Sequence, residues 1–413
     1  MQRLLVLFPG LLFFSAISAQ SSDSWLNELP PSFKFGQELK KTIFVPADTL
    51  LTGVFDGADS FNFSKPYKTV FSSFHIWKYE ISNQEYRAFV QDVLDSVCRE
   101  RLGYYRYVNG QKQLDRKRPV NLDDERLEPL MVTPDDRIFK KKLLNTSQLF
   151  YARPGGDSIA VYPDTTVWRN DIPFQYTEIA RPIYFTYPAF NNYPVAGISF
   201  WQALAYCVWK TKKWNEALQQ TGDDAHEFLF RLPTAAEWEV AATDFPAVET
   251  FRGISYWFPI MNEQKTAYLY NFGQIFDSNG FLIKGYSSDN SFYTEPVHKG
   301  TVSKRGLYHI HGNVAEWTSD WGYYTANPDR NTGKDESLET YRQTFHGTAM
   351  AQMDAAVIDG RLKKYKIVKG GSWASNPFYL QPAVNQYYLP ETQRAMVGFR
   401  MVVEYRLKQF GAL

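Results

Sequence analysis

Only three stretches of this chain carry a clear helical period, and each opens with the same local device. Ser82 is followed three positions later by Glu85, Ser199 by Gln202, and Thr234 by Glu237. A hydroxyl and a carboxylate or amide at that spacing cap each other's backbone N–H groups and start a helix. After the first box, Tyr86, Phe89, Val90, Val93, Leu94 and Val97 form an apolar stripe, and Gly103 marks the stop. After the second, Trp201, Leu204, Ala205 and Val208 are expected to face inward, with Cys207 beside them. After the third, Trp238 and Ala241 face inward. Elsewhere the chain reads as short strands, as in "SKPYKTVFSSFHIWKYEIS", "YKIVKGGSW" and "GFRMVVEYR", joined by segments rich in Gly, Asn, Asp, Trp and Tyr. Few helices among many short strands imply an α+β fold.

The interior of such a fold is irregular, and large rings suit it. Aromatic residues make up 17 % of the 413 positions and apolar residues 44 %, enough to build a core. A net charge of +1 exerts no general pull on nucleic acid or anionic membrane. No basic stripe interleaved with aromatics argues for nucleic-acid binding. The start, "MQRLLVLFPGLLFFSAISAQ", has Arg3, an apolar run broken by Pro9 and Gly10, and small residues before Gln20. It reads as a secretory signal peptide over 1–19 rather than a membrane anchor. The expected location is therefore the periplasm or the periplasmic face of the outer membrane. Residues 20–60 read as an extended lead-in, 61–405 as one domain carrying a long insertion at 104–190, and 406–413 as a tail. Cys98 and Cys207 permit one disulfide, or serve as two buried thiols within helical patterns.

Six phrases occur in order: "YEISNQEYRAFV" (79–90), "YPVAGISFWQALAYCVW" (193–209), "RLPTAAEWEVAA" (231–242), "GNVAEWTSDW" (312–321), "VKGGSW" (368–373) and "VGFRMV" (397–402). Together they resemble the formylglycine-generating enzyme, or sulfatase-modifying factor, family. The resemblance implies a complex fold related to C-type lectins, with little regular secondary structure. Within the insertion, "VYPDTTVWRNDIPFQYTE" (161–178) and "RPIYFTYPAFNNYPVAGISFWQA" (181–203) are similar to the gliding-motility and type IX secretion members of Bacteroidetes, GldK/PorK and GldJ. Those are typically lipoproteins with a cysteine at the mature N-terminus, where this chain has Gln20.

In the family's enzymes a cysteine pair after the "GGSW" turn binds copper and oxidises a substrate cysteine. The matching positions here are Ser375 and Leu380. A hydroxyl and a hydrocarbon cannot replace the soft thiolates that Cu(I) takes, so no copper and no formylglycine generation are expected. The resemblance further implies two structural calcium sites built from oxygen ligands. One would use Asn271, Phe272, Asp289 and Ser291, the other Gly312, Asn313, Val314 and Glu316. His309 and His311 could share a strand face as metal ligands, as a diverged metal-dependent oxidoreductase would need, but no third ligand sits at metal-site spacing. Trp238, Trp317 and Trp373 fit core packing better than a ligand cage. Arg400 is expected to make bidentate bonds to a buried carboxylate and fix the last strand.

These readings point to a non-catalytic, exported assembly component of the type IX secretion or gliding apparatus. Its partners would be envelope proteins, including ring lipoprotein paralogues, contacted through Tyr162, Trp168 and Tyr176 of the insertion. A lectin-like glycan- or peptide-binding module is the other reading, since fold alone does not select a function.

Overall fold

The computed structural model describes residues 35–52, 67–108, 110–132, 144–152, 158–171, 183–243, 267–276, 282–284, 291, 293–321 and 365–408. The 1–19 segment, Asp289 and Tyr176 lie outside the described residues. The elements that build the core are, in chain order, β1 (Thr42–Val45), β2 (Phe74–Trp77), α1 (Asn83–Leu102), α2 (Phe200–Gln219), β3 (His226–Arg231), α3 (Ala235–Ala242), β4 (Ala315–Trp321), β5 (Lys366–Lys369), β6 (Gln386–Tyr388), β7 (Val397–Gly398) and β8 (Val402–Leu407).

Two four-stranded sheets form the frame. The first runs β1-β2-β8-β3, antiparallel throughout, with Val402 opposite both Ile76 and Arg231. The second runs β6-β5-β4-β7, antiparallel except for the β4–β7 pair. The architecture is α+β, as the three helical stretches among short strands imply.

All three helices begin where the capping boxes put them: each hydroxyl accepts the backbone N–H three residues on, and each return bond is made. Gly103 closes α1 at φ +68°, a conformation other side chains resist. The inner face of α2, however, is turned from the expected one. Ala205 is buried as expected, together with Phe200, Ala203, Tyr206, Cys207, Lys210, Trp214 and Leu218, whereas Trp201, Leu204 and Val208 are only half-buried. Tertiary partners set this rotation. Lys210 enters the apolar face because its ammonium meets Glu38 at 2.9 Å and lies 5.0 Å from the Trp77 ring.

Glu38 belongs to the segment expected to be an extended lead-in. That segment instead contributes to the folded unit: Leu39 and Val45 are buried, β1 forms the edge of the first sheet, and Asp48–Thr52 pairs with Tyr67–Phe71.

The insertion also differs from a loop appended to a scaffold. Its second half runs through the main core, where Leu149 and Val161 are buried among Tyr86, Phe89 and Tyr206. The Tyr86 hydroxyl donates to Val161 O at 2.9 Å, and Gln202 Nε2 donates to the carbonyls of Ala160 and Tyr162. Its first half folds a hairpin, Tyr105–Val108 with Gln111–Leu114, and then packs Leu127 and Met131 on Cys98, Leu102 and Tyr104. Cys98 and Cys207 are both buried free thiols. No described helix is long and apolar enough to cross a membrane.

Candidate functional site

The family phrases converge where the two sheets meet. "GNVAEW" supplies the approach to β4, "VKGGSW" supplies β5 and its turn, and "VGFRMV" supplies β7 and the entry to β8. β4 and β5 pair with Glu316 opposite Lys369, so each of these two strands carries a buried charge at the junction.

Arg400 and Glu316 are the centre of the junction, and both are essentially inaccessible to water. Arg400 Nε lies 2.7 and 2.9 Å from the two carboxylate oxygens, and Nη2 lies 2.6 Å from Oε1. The remaining guanidinium donors reach the carbonyls of Trp77, Lys78 and Tyr308. Trp238 Nε1 donates to Glu316 Oε2 at 2.7 Å, so α3 joins the same knot. The arrangement matches the bidentate role expected of Arg400.

Beside it lies a second buried carboxylate, Glu80, which sequence reasoning missed although it sits inside the first family phrase. Its oxygens accept from Val314 N at 3.0 Å and Asn313 Nδ2 at 2.6 Å. Burial, and then the charge of Glu316, push the Glu80 carboxyl well above the usual range, against the pull of Arg400 and the two hydrogen bonds. A further buried charge, Lys369, donates to Glu239 at 3.2 Å and to Pro382 O at 2.7 Å. Burial lowers its pKa although Glu239 opposes the shift. Lys369 stands at the head of "KGGSW" as the last residue of β5, and a charged residue closing a buried strand was the available signal.

The turn after β5 is built to approach other backbone closely. Gly370 has φ +91°, and a Cβ there would lie 2.9 Å from the Trp238 ring and 3.1 Å from Ile310 O. Ser375, at the first thiol position, is turned into the loop. Its hydroxyl lies 2.9 Å from Ser372 Oγ and accepts Ser372 N at 3.0 Å. Leu380, at the second, is fully buried in the short 3₁₀ segment Pro377–Leu380. These residues do not fit copper: neither offers a thiolate, and the one oxygen is bonded within its own turn.

Two of the side chains expected as calcium ligands at 312–316, Asn313 and Glu316, make other bonds. Both Glu316 oxygens belong to Arg400 and Trp238. Asn313, at φ +60°, accepts Glu295 N at 2.7 Å and Asn271 Nδ2 at 3.3 Å on its side-chain oxygen. Val314 N donates to Glu80, and a Cβ at Gly312 would lie 2.2 Å from Asn271 O. A dication on the Glu316 carboxylate would compete with the Arg400 guanidinium for the same oxygens. Of the other set, Asn271 and Phe272 are buried, Asn271 Nδ2 donates to Tyr293 O, and Ser291 bonds Glu295.

His309 and His311 do not share a strand face. They lie in the loop before β4, and His309 takes φ +47°. Its Nε2 is 3.2 Å from Pro296 O, whereas His311 Nδ1 is 2.9 Å from Leu380 O. Burial lowers the two rings to about 4 and about 3, with Arg400 adding to both shifts. Among the described residues, no three His, Cys, Asp or Glu side chains cluster as a metal site.

Trp238, Trp317 and Trp373 are core, each with its indole N–H on a named acceptor: Glu316, Ile198 O and Ala395 O. Trp168, expected as a partner anchor, is core too. It is buried, stacks on Trp373 with ring centroids 6.3 Å apart, and lies 4.3 Å from the Tyr184 ring. Tyr162 is half-buried edge-on to Phe185 at 5.3 Å. Trp168 is therefore not a free anchor, whereas part of Tyr162 stays at the surface.

The sulfatase-modifying factor enzyme 1-like domain family matches residues 29–405. The formylglycine-generating enzyme of Mus musculus is 26 % identical over 220 residues, covering 52 % of this chain and 45 % of that protein. That of Thermomonospora curvata is 26 % identical over 221 residues, covering 52 % and 56 %. The chain thus spans about half the length of these curated relatives. Among solved structures, PvdO from Pseudomonas aeruginosa is similar with a TM-score of 0.44 and 15 % identity, covering 88 % of this chain and 94 % of that one.

Proposed function

The chain belongs to the sulfatase-modifying factor enzyme 1-like domain family, and on that premise we propose that it is a non-catalytic member. We propose further that it works as an exported assembly component of the type IX secretion or gliding machinery. One observation carries the first half: the two positions that match the family's copper-binding thiols hold a serine closed onto Ser372 and a leucine packed in the core. The turn itself packs Gly370 closely against Trp238 and Ile310, a structural task that needs a glycine and no thiol.

The second half is supported by the phrases at 161–178 and 181–203, which are similar to gliding-motility and secretion-ring proteins and lie outside the enzyme motifs. The partners in this reading are envelope proteins of that apparatus, with ring lipoproteins foremost.

Two measurements test the reading. Purified protein incubated with copper, oxygen and a sulfatase-motif peptide is expected to give no aldehyde; measurable turnover would overturn the pseudoenzyme half. Affinity purification from the native envelope is expected to bring down ring or translocon proteins. Recovery of the protein alone, from an envelope in which that apparatus is intact, would overturn the assembly half.

A further inference from the structure

The hairpin Tyr105–Val108/Gln111–Leu114 stands apart from the rest of the molecule in both its packing and its charge. All but two of its eight strand residues are exposed, Tyr107 to 74 % and Tyr105 to 39 %. It is a ribbon of two strands with no third strand on either edge among the described residues. Such a ribbon is marginal by itself. Here its base is fixed: the buried Arg99 guanidinium donates to the carbonyls of Asp115 and Arg118, and Asp115 N bonds Tyr104 O at 2.9 Å.

Several cations elsewhere among the described residues are paired with carboxylates. Lys210 meets Glu38, Arg231 meets Glu237 and Glu404, Arg394 meets Asp171, and Arg400 meets Glu316. Arg106, Lys112, Lys117 and Arg118 are exposed, and among the described residues no carboxylate lies within ion-pair distance of any of them. Lys112 and Arg118 instead sit over the Tyr105 and Tyr104 rings, at 3.9 and 3.8 Å. Asp115 accepts the Lys117 backbone N–H, Asp124 lies near enough to Arg118 to feel its charge without an ion pair, and Arg116 is already held by Asp92. The pairing of Tyr107 with Lys112 and of Arg106 with Gln113 puts Arg106 on one face and Lys112, with the two tyrosines, on the other.

We propose that this hairpin is a docking ribbon for an acidic, extended polypeptide segment of a partner protein, which adds as a third strand along a free edge. A strand edge offers N–H and C=O groups that only another polypeptide satisfies in series. The flanking cations select an acidic strand and repel a basic one. The exposed tyrosine rings supply contact area at low entropic cost. The surface deepens the assembly reading by naming where a partner binds; its failure would leave the thiol argument intact, because the aldehyde assay reads a different part of the molecule.

The test uses the full chain and fluorescein-labelled peptides of about ten residues. One peptide alternates glutamate with valine, and a control alternates lysine with valine. Phosphatidylglycerol vesicles and a single-stranded oligonucleotide serve as other polyanions. Saturable binding of the acidic peptide alone is expected. R106E/K112E should weaken it about tenfold or more without moving the melting temperature. Lys117→Glu, outside the strands, should weaken it less and serves as a second variant if the first is poorly folded. Absence of binding, binding indifferent to both variants, or equal binding of vesicle or oligonucleotide would each overturn the proposal. In the first case the cations merely guard an exposed edge against aggregation.

Discussion

Arg400 and Glu316 form a buried ion pair that stitches the entry of one sheet's central strand to the other sheet. Arg400 precedes β8, Glu316 lies on β4, and the closest contact is 2.6 Å. Removing one member leaves the other charged and without water, which costs about 3–5 kcal/mol in such settings. Glu316→Gln should therefore lower stability by about that amount in urea denaturation. The deficit should be the same in calcium and in chelator, because the carboxylate serves Arg400 and Trp238. A deficit that appears only when calcium is present would restore Glu316 as a cation ligand.

Trp168 tests whether the insertion is core. Its ring stacks on Trp373 and packs on Tyr184 and Tyr293. Trp168→Ala should cost about 3–5 kcal/mol, the usual price of a buried indole cavity. Tyr107→Ala, on the exposed ribbon, should stay within about 0.5 kcal/mol. Equal effects at the two positions would mean that the insertion does not pack as described.

What the sequence made legible was local. Each helix start could be read because a capping box spans only four residues, and Gly103 announces its own positive φ. The bidentate role of Arg400 followed from its motif. What was not legible depended on partners distant in the chain. Lys210 reads as solvent-facing until Glu38, far upstream, is placed beside it. β1 has four residues and no period of its own; its pairing with β2 defines it. Trp168 looks like an exposed anchor because its stacking partner, Trp373, is two hundred residues away. Glu80 lies beside apolar chain neighbours, and the Arg400 charge, the Asn313 amide and the Val314 N–H that meet it explain why it is tolerated.

The buried histidines give a pH prediction of fixed sign. In the unfolded chain each ring titrates near 6.5, whereas burial lowers His309 to about 4 and His311 to about 3 in the folded state. Between these limits the unfolded state binds more protons than the folded state, so acidification favours unfolding. Stability should be insensitive to these rings above pH 7 and fall as pH drops from about 6.5 toward 4. The slope approaches about 1.4 kcal/mol per pH unit for each ring once the unfolded form is protonated. Glu80 acts in the opposite sense, since its raised folded pKa makes the native state take up a proton as pH falls. The two rings together should outweigh this single group. Urea midpoints measured from pH 7.5 to 4.5 check the sum, and substituting both histidines by asparagine should remove most of the decline in any variant that still folds cooperatively. A midpoint that rises on acidification across this range would show that Glu80 dominates and that the rings are accessible to protons in the native state.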